Sequence, residues 1–172
     1  MKSWGLEVVF AKHAGSSNGT YAGNIRQRLE DLQEAMDDEE AKVIFCSRGG
    51  YGAVHLIGKL DFTKFRQHPK WLIGFSDITA SIICSSRMAS RRCTPPWRAS
   101  HSRTGRRLLH TSTEGYTIRA GIGGTEAFSY VCPGHKLNHK GEGKGVLRGG
   151  NLSVFYGLRG TPYDIPAEAT SL

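Results

Sequence analysis

The sequence predicts an α/β protein built on a parallel sheet. Three observations carry that reading. Two nearly continuous apolar runs, "AKVIFCS" (Ala41–Ser47) and "WLIGFS" (Trp71–Ser76), read as strands buried on both faces. Helical patterns precede, separate and follow them, and that alternation marks parallel strands joined by right-handed crossovers. Glycine supplies 22 of 172 residues and apolar residues 38%, which suits a globular domain with many tight turns. The length allows one domain of usual size, or one domain plus part of another.

Taken in order, "LEVVF" (Leu6–Phe10) is a strand candidate, rich in Val, and "AKHAGSSNGTYAG" is a loop by its Gly, Ser and Asn content. "NIRQRLEDLQEAMDDEE" places Ile25, Leu29, Leu32 and Met36 on one helical face, which predicts a helix packed on the sheet. The first buried strand then ends in "RGGYGA". "VHLIGKL" suits a short helix, and "LDFTKFRQHPK" offers Asp61 as a cap and Pro69 as a stop. The second buried strand runs into "DITASII", which begins as a helix. After Ala80 the apolar period is lost until about Gly124, so residues 81–124 are expected to be irregular, with Trp97 and Leu108–Leu109 burying little. Order returns with the strand-like "EAFSYVC", a loop "PGHKLNHKGEGKG", then "VLRGGN" and a helical "LSVFYGLRG".

The formal net charge is +8, a value that suggests a polyanionic partner. Its distribution argues otherwise. Between Ser81 and Thr113 there are seven Arg and no acid, and subtracting those seven from +8 leaves the rest of the chain at +1. The four cysteines, Cys46, Cys84, Cys93 and Cys132, form no C-x-x-C pair, so a zinc knuckle or thioredoxin motif is not expected. The N-terminal "MKSWGLEVVF" lacks the apolar core of a signal peptide, and no run approaches the roughly 20 apolar residues of a membrane span. The expectation is a soluble protein in a reducing, cytoplasmic setting.

Two turns, "SRGGYG" and "GFSD", follow the two buried strands. Both fall at the carboxyl edge of a parallel sheet, where ligands bind. In "GFSD", Ser76 lies where a strand turns sharply into a helix, an elbow that lifts a hydroxyl out of the sheet. Gly74 leaves room for close backbone approach. The Asp77 amide lies at the new helix N-terminus, where unpaired N–H groups can hold an oxyanion, and the Gly49-Gly50 pair can offer another. The better known elbow is G-x-S-x-G, whereas here Asp77 is followed by Ile78. From spacing alone, the plainer alternative stays open: Ser76 caps a helix and the glycines turn the chain. A phosphate cradle is the weaker alternative, since G-x-x-x-x-G-K-[ST] is absent.

"CSRGGYGAVHLIGKLDF", "HPKWLIGFSDITA", "GVLRGGNLSVFYGLRGTPYD" and "GTYAGNIRQRLEDLQEAMDD" together resemble the LD-carboxypeptidases, serine peptidases of murein recycling related to the microcin-immunity peptidases. The likeness covers roughly residues 1–80 and 125–168. It implies a Rossmann-like N-terminal domain over 1–80 that carries the nucleophile, and a β-rich C-terminal domain of which 125–172 is an incomplete start. It implies Ser76 as nucleophile and the amides of Asp77 and Gly50 as oxyanion hole. The implied reaction removes terminal D-Ala from a murein tetrapeptide in the cytoplasm, with no metal or other cofactor. The implied partner is that peptide, not a membrane, and intact members pair as homodimers. The family's base is a Glu-oriented His from the C-terminal domain, and neither Glu nor His has a counterpart here. His55 is not a counterpart, and His135 and His139 fall in "HKLNHKGEG", which matches a different loop. The expectation is a chain shortened at both ends with negligible turnover.

The Arg-rich segment stands where the family carries a segment like His-Ala-Pro-Met-Ala-Ser. Codons for "CTPPWRA", read from the third base, give YAC NCC NCC NTG GCG NGC when the Arg codon is CGN. That frame can encode the missing motif. Off-frame reading of GC-rich DNA also favours Arg, Ser, Pro and Cys. The expectation is a frameshift near Ala80 and a compensating one before about Thr125. The rival is a nucleic-acid-binding arm, disfavoured because no aromatic ladder or helical Arg stripe accompanies the charge.

Overall fold

A computed structural model describes residues 5–88, 134–139, 141–142 and 150–164. Its centre is a parallel pair of strands, β1 (Val43–Phe45) and β2 (Trp71–Ile73), in the register Val43↔Trp71, Ile44↔Leu72, Phe45↔Ile73. Backbone bonds extend the pairing past both ends, from Trp71 N–H to Lys42 C=O (3.0 Å) and from Cys46 N–H to Ile73 C=O (2.9 Å). The α/β class and the parallel sense are as the sequence predicts. The strands are shorter than their apolar runs because each run also supplies the turn that leaves the sheet.

Helix α1 (Ile25–Asp37) starts with a reciprocal cap. Asn24 Oδ1 accepts the Gln27 N–H at 2.9 Å, and Gln27 Oε1 accepts the Asn24 N–H at 3.0 Å. Its apolar stripe enters the core only in its second half: Met36 is fully buried, Leu32 packs beside it, and Ile25 is exposed. Two short helices cross between the strands, α2 (Val54–Ile57) and α3 (Thr63–Gln67). Asp61 stands one residue before the N-cap, Phe62, rather than at it as expected; its Oδ1 accepts from Thr63 N–H (2.9 Å) and Thr63 Oγ1 (2.6 Å) across the turn that enters the helix. Phe62 and Phe65 meet edge to face at 6.0 Å and join Met36, Ile44, Ile57, Leu72, Ile83 and Leu158 in one core cluster.

A 3-10 turn (Ser76–Ile78) leads into α4 (Thr79–Met88). The expected loss of order at Ser81 is therefore displaced: the helix runs to Met88. Ala80, Ile82, Ile83 and Cys84 are all buried, and their contacts carry the helix past the point where apolar periodicity fades. The remaining expectations for 89–124, including Trp97, Leu108–Leu109 and the Arg-rich stretch, lie outside the described residues, as do "EAFSYVC", Cys93 and Cys132. Among the described residues the C-terminal part holds one helix, α5 (Leu152–Leu158), and no strand. The helix agrees with the sequence reading.

"LEVVF" is not a strand. Val9 and Phe10 are more than four-fifths exposed, and no neighbour among the described residues pairs with them. Valine favours a strand only where a sheet receives it. The chain is instead tied to α1 just afterwards, by His13 N–H to Asp31 Oδ1 (3.1 Å) and Lys12 Nζ to Glu30 Oε1 (2.8 Å).

Helix α5 docks on α4 through a bond between chain segments far apart in sequence. Thr79 Oγ1 accepts the Asn151 N–H at 3.0 Å, while Asn151 Oδ1 caps the helix at Ser153 N–H (3.0 Å) and Val154 N–H (3.3 Å). Gly150, at φ +150°, lies against Thr79: a Cβ there would stand 2.8 Å from Thr79 Oγ1. Lys70 is buried at the far end of the sheet, its ammonium donating to the carbonyls of Asp38 and, at 3.3 Å, Ala41. These carbonyls flank the α1 C-terminus, where a cation is favoured. Burial still lowers the Lys70 pKa below its ordinary 10.5.

Thr79→Val keeps volume and leaves the Asn151 N–H without its acceptor. It should cost about 1–2 kcal/mol in urea unfolding and speed amide exchange in α5 first. Lys70 makes the fold gain stability as pH rises toward 10.5, because the unfolded chain then holds the proton more tightly than the folded one. The gain is read as a difference: as pH rises toward 10.5, the urea midpoint of the chain should rise relative to that of Lys70→Met, which shares the opposing ionisation of Cys46 in the unfolded chain.

Candidate active site

The site begins with a steric problem at the end of β2. The chain leaves Ile73, passes Gly74 and the extended Phe75 (φ −144°, ψ 176°), and reverses into the 3-10 turn at Ser76. Ser76 takes φ +57°, and it is the one non-glycine with positive φ among the described residues. That left-handed conformation is costly for a residue with a Cβ, and such strain gathers where a side chain must be aimed. The reversal brings residue 78 back over residue 74. A Cβ at Gly74 would lie 2.5 Å from Ile78 Cγ2 and 2.9 Å from Ile78 Cβ. The departure from G-x-S-x-G is thus accommodated: Gly74 alone clears the crossing, and Ile78 fills the space.

The β1 turn packs against the same elbow. A Cβ on Gly49 would lie 2.7 Å from Ser76 Cβ and 2.9 Å from the Phe75 carbonyl oxygen. The glycines of "SRGGYG" and the serine of "GFSD", read separately from sequence, meet here in one place. Ser76 is half-buried, and its hydroxyl has no hydrogen-bond partner among the described residues. In particular, neither His55 nor His135 nor His139 is bonded to it, nor is any carboxylate among the described residues.

Asp77 ties the two turns together. Its Oδ1 accepts the Gly50 N–H at 2.7 Å and its Oδ2 accepts the Ala53 N–H at 3.2 Å. Its own N–H meets no acceptor among the described residues. The two amides expected to form an oxyanion hole therefore differ: that of Asp77 is open, and that of Gly50 is engaged by the Asp77 carboxylate. The negative charge is felt nearby. Burial pushes the Cys46 thiol up to about 12, and Asp77 adds to the effect.

A second layer escaped the sequence reading. Arg28 on α1 sends Nη1 to the Gly52 carbonyl at 2.9 Å and lies over the Tyr21 ring at 5.1 Å. Tyr21, Tyr51 and His55 form a ring cluster with centroids 6.0–6.1 Å apart. A cavity of about 460 Å³ opens beside them, lined by Asn18, Tyr21, Asn24, Arg26, Arg28 and His55 among others. Arg28 sits among charged residues of an ordinary surface helix, so nothing in the local sequence distinguishes it. No group of His, Cys, Asp and Glu suited to a metal occurs among the described residues.

Known proteins share this chain's sequence pattern and fold. Residues 1–91 match the family model of the LD-carboxypeptidase N-terminal domain. A putative carboxypeptidase of Synechocystis is 44% identical over 78 residues, covering 45% of this chain and 26% of that protein. The murein tetrapeptide carboxypeptidase of Pseudomonas aeruginosa is 30% identical over 179 residues, covering 98% of this chain and 56% of that one. Among solved structures, the microcin C7 self-immunity protein MccF, in complex with aspartyl sulfamoyl adenosine, superposes with a TM-score of 0.65 at 19% identity, covering 95% of this chain and 56% of that one. At that identity the likeness concerns the fold. The chain spans about half the length of the curated relatives that it matches from end to end.

Gly74→Ala should destabilise the fold by roughly 2–3 kcal/mol through overpacking against Ile78, and adding Ile78→Ala should recover part of that loss in chemical denaturation. With a thiol at about 12, only about one Cys46 in ten thousand is thiolate at pH 8. Alkylation by iodoacetamide should run about a thousandfold slower at native Cys46 than in the urea-unfolded chain.

Proposed function

The chain belongs to the LD-carboxypeptidase family, and on that premise we propose that it carries the nucleophile half of a serine-type peptidase site. The proposed reaction is hydrolysis of the L,D peptide bond before the terminal D-Ala of a murein tetrapeptide, in the cytoplasm. The observation that supports it most directly is Ser76 held at φ +57° at the end of a parallel strand, against Gly49 and beside an open amide. The names of relatives, among them the murein tetrapeptide carboxypeptidase, support the choice of substrate class. No helix among the described residues is long and apolar enough to cross a membrane.

In this reading Ser76 Oγ attacks the carbonyl carbon of the scissile bond, and its proton passes to a general base. The developing oxyanion takes the Asp77 N–H. The Gly50 N–H joins it once the Asp77 carboxylate turns away, since an anion 2.7 Å from that donor otherwise opposes a second one. The tetrahedral species collapses, the base returns the proton to the departing D-Ala amine, and water hydrolyses the acyl-enzyme. No described His or carboxylate is bonded to the Ser76 hydroxyl, so the base is supplied from outside the described residues.

A fluorophosphonate probe followed by peptide mapping tests the assignment. Ser76 is expected to carry the adduct that builds up slowly over prolonged incubation, since no described base is bonded to it, and Ser76→Ala to abolish that adduct. Adducts spread over other serines, with Ser76 unmodified, overturn it. Release of D-Ala from the tetrapeptide by the 172-residue chain is expected to be negligible. Release above the Ser76→Ala background would show that a base does reach Ser76.

A further inference from the structure

The turn from Gly49 to Ala53 must hold an amide in a fixed direction, yet three of its five residues are glycine. Glycine makes the tight packing possible and also leaves the turn with the largest conformational freedom to lose. Something outside the turn must restrain it. Asp77 does so from one side, through the Gly50 and Ala53 N–H groups. We propose that Arg28 is the matching restraint on the other side, a positioning residue that fixes the turn carrying the Gly50 amide by gripping the Gly52 carbonyl. The role of that amide rests on the peptidase reading above.

Four observations carry the proposal. Arg28 Nη1 bonds the Gly52 oxygen at 2.9 Å, although it reaches there from α1, 24 residues away. Gly52 sits at φ +105°, and a Cβ on it would lie 2.8 Å from Arg28 Nη1 and 3.0 Å from two Tyr21 ring carbons. The guanidinium and the Tyr21 ring thus close directly on the turn. Arg28 Cζ lies over the Tyr21 ring, 5.1 Å from its centroid, within cation–π range. Finally, Arg28 Nε is buried with no partner, a desolvation cost that an aliphatic side chain would avoid. A residue kept only to fill space between α1 and the turn would not need that group. A planar cation reaching a backbone carbonyl does.

The two restraints oppose one another across the peptide groups from Gly50 to Ala53. One is an anion on N–H groups, the other a cation on a C=O, and each aligns the local dipoles with its own charge. Loss of either leaves the turn attached at one side only.

Amide hydrogen exchange on the full chain decides the matter. In Arg28→Met, exchange at Gly50 and Ala53 is expected to rise at least tenfold more than at Ile44 and Phe45 in β1. Arg28→Lys, which keeps a donor but loses the planar guanidinium, should recover part of the protection, and Tyr21→Leu should resemble Arg28→Lys. An equal rise in the turn and in β1 means a global stability effect and overturns the proposal. So does unchanged exchange in the turn. Should Arg28→Met not fold, Arg28→Lys and Tyr21→Leu read the same contrast. Fluorophosphonate labelling of Ser76 in the same samples separates the two readings. No labelling in the unmodified chain sinks the peptidase assignment while the exchange contrast still judges the restraint. Labelling that falls at least tenfold as the turn loosens supports both.

Discussion

The close approach of two strand-end turns governs this structure. β1 and β2 are parallel neighbours, so the chain leaves both at the same edge of the sheet. There the Gly49 turn presses on Ser76 and Phe75, and Gly74 passes under Ile78. With an ordinary side chain at either glycine, the turns would have to separate. Because they do not, Ser76 is left with a backbone conformation that L-residues avoid, and surrounding contacts hold it there. The strands and helix that flank the elbow are held by buried residues, among them Ile44, Leu72 and Ile83.

Asp77 turns that steric arrangement into an electrostatic one. One residue offers an open N–H at the start of the 3-10 turn and a carboxylate that engages the neighbouring turn. Burial, with a smaller part from the Asp77 charge, holds the Cys46 thiol in the neutral form, so among the described residues the cysteine near this edge is a poor nucleophile and the Ser76 hydroxyl stands as the candidate. The Gly50 amide serves the carboxylate first. In the proposed reaction an oxyanion would have to compete with that carboxylate for the Gly50 N–H.

The family model covers residues 1–91, whereas the fold match covers 95% of the chain, and a hydrogen bond ties the C-terminal helix to the N-terminal part. α5 caps through Asn151 and bonds Thr79 at the head of α4, directly after the elbow. The helix that follows the candidate nucleophile is thus anchored by residues more than seventy positions later in the chain. A contact of this kind links the elbow to whatever the later segment brings.

Periodicity and residue type determined a good deal: the α/β class, the parallel pairing of two apolar runs, helix α1 with its apolar face, the helix near the C-terminus, and Ser76 at a strand-to-helix reversal. These are local properties, and local chemistry is written in adjacent residues. Where the reading failed, tertiary contacts outweighed local preference. Val9 and Phe10 had strand propensity but no partner strand. α4 continued past Ser81 because Ile82, Ile83 and Cys84 found the core. The partners of the turns were settled only by folding. Asp77 on Gly50 and Ala53, Arg28 on Gly52, and Asn151 on Thr79 are separated by 24 to 72 residues. A charged side chain on a solvent-facing helix looks the same in sequence whether it meets water or a backbone carbonyl, and only the packing of α1 against the glycine turn distinguishes the two.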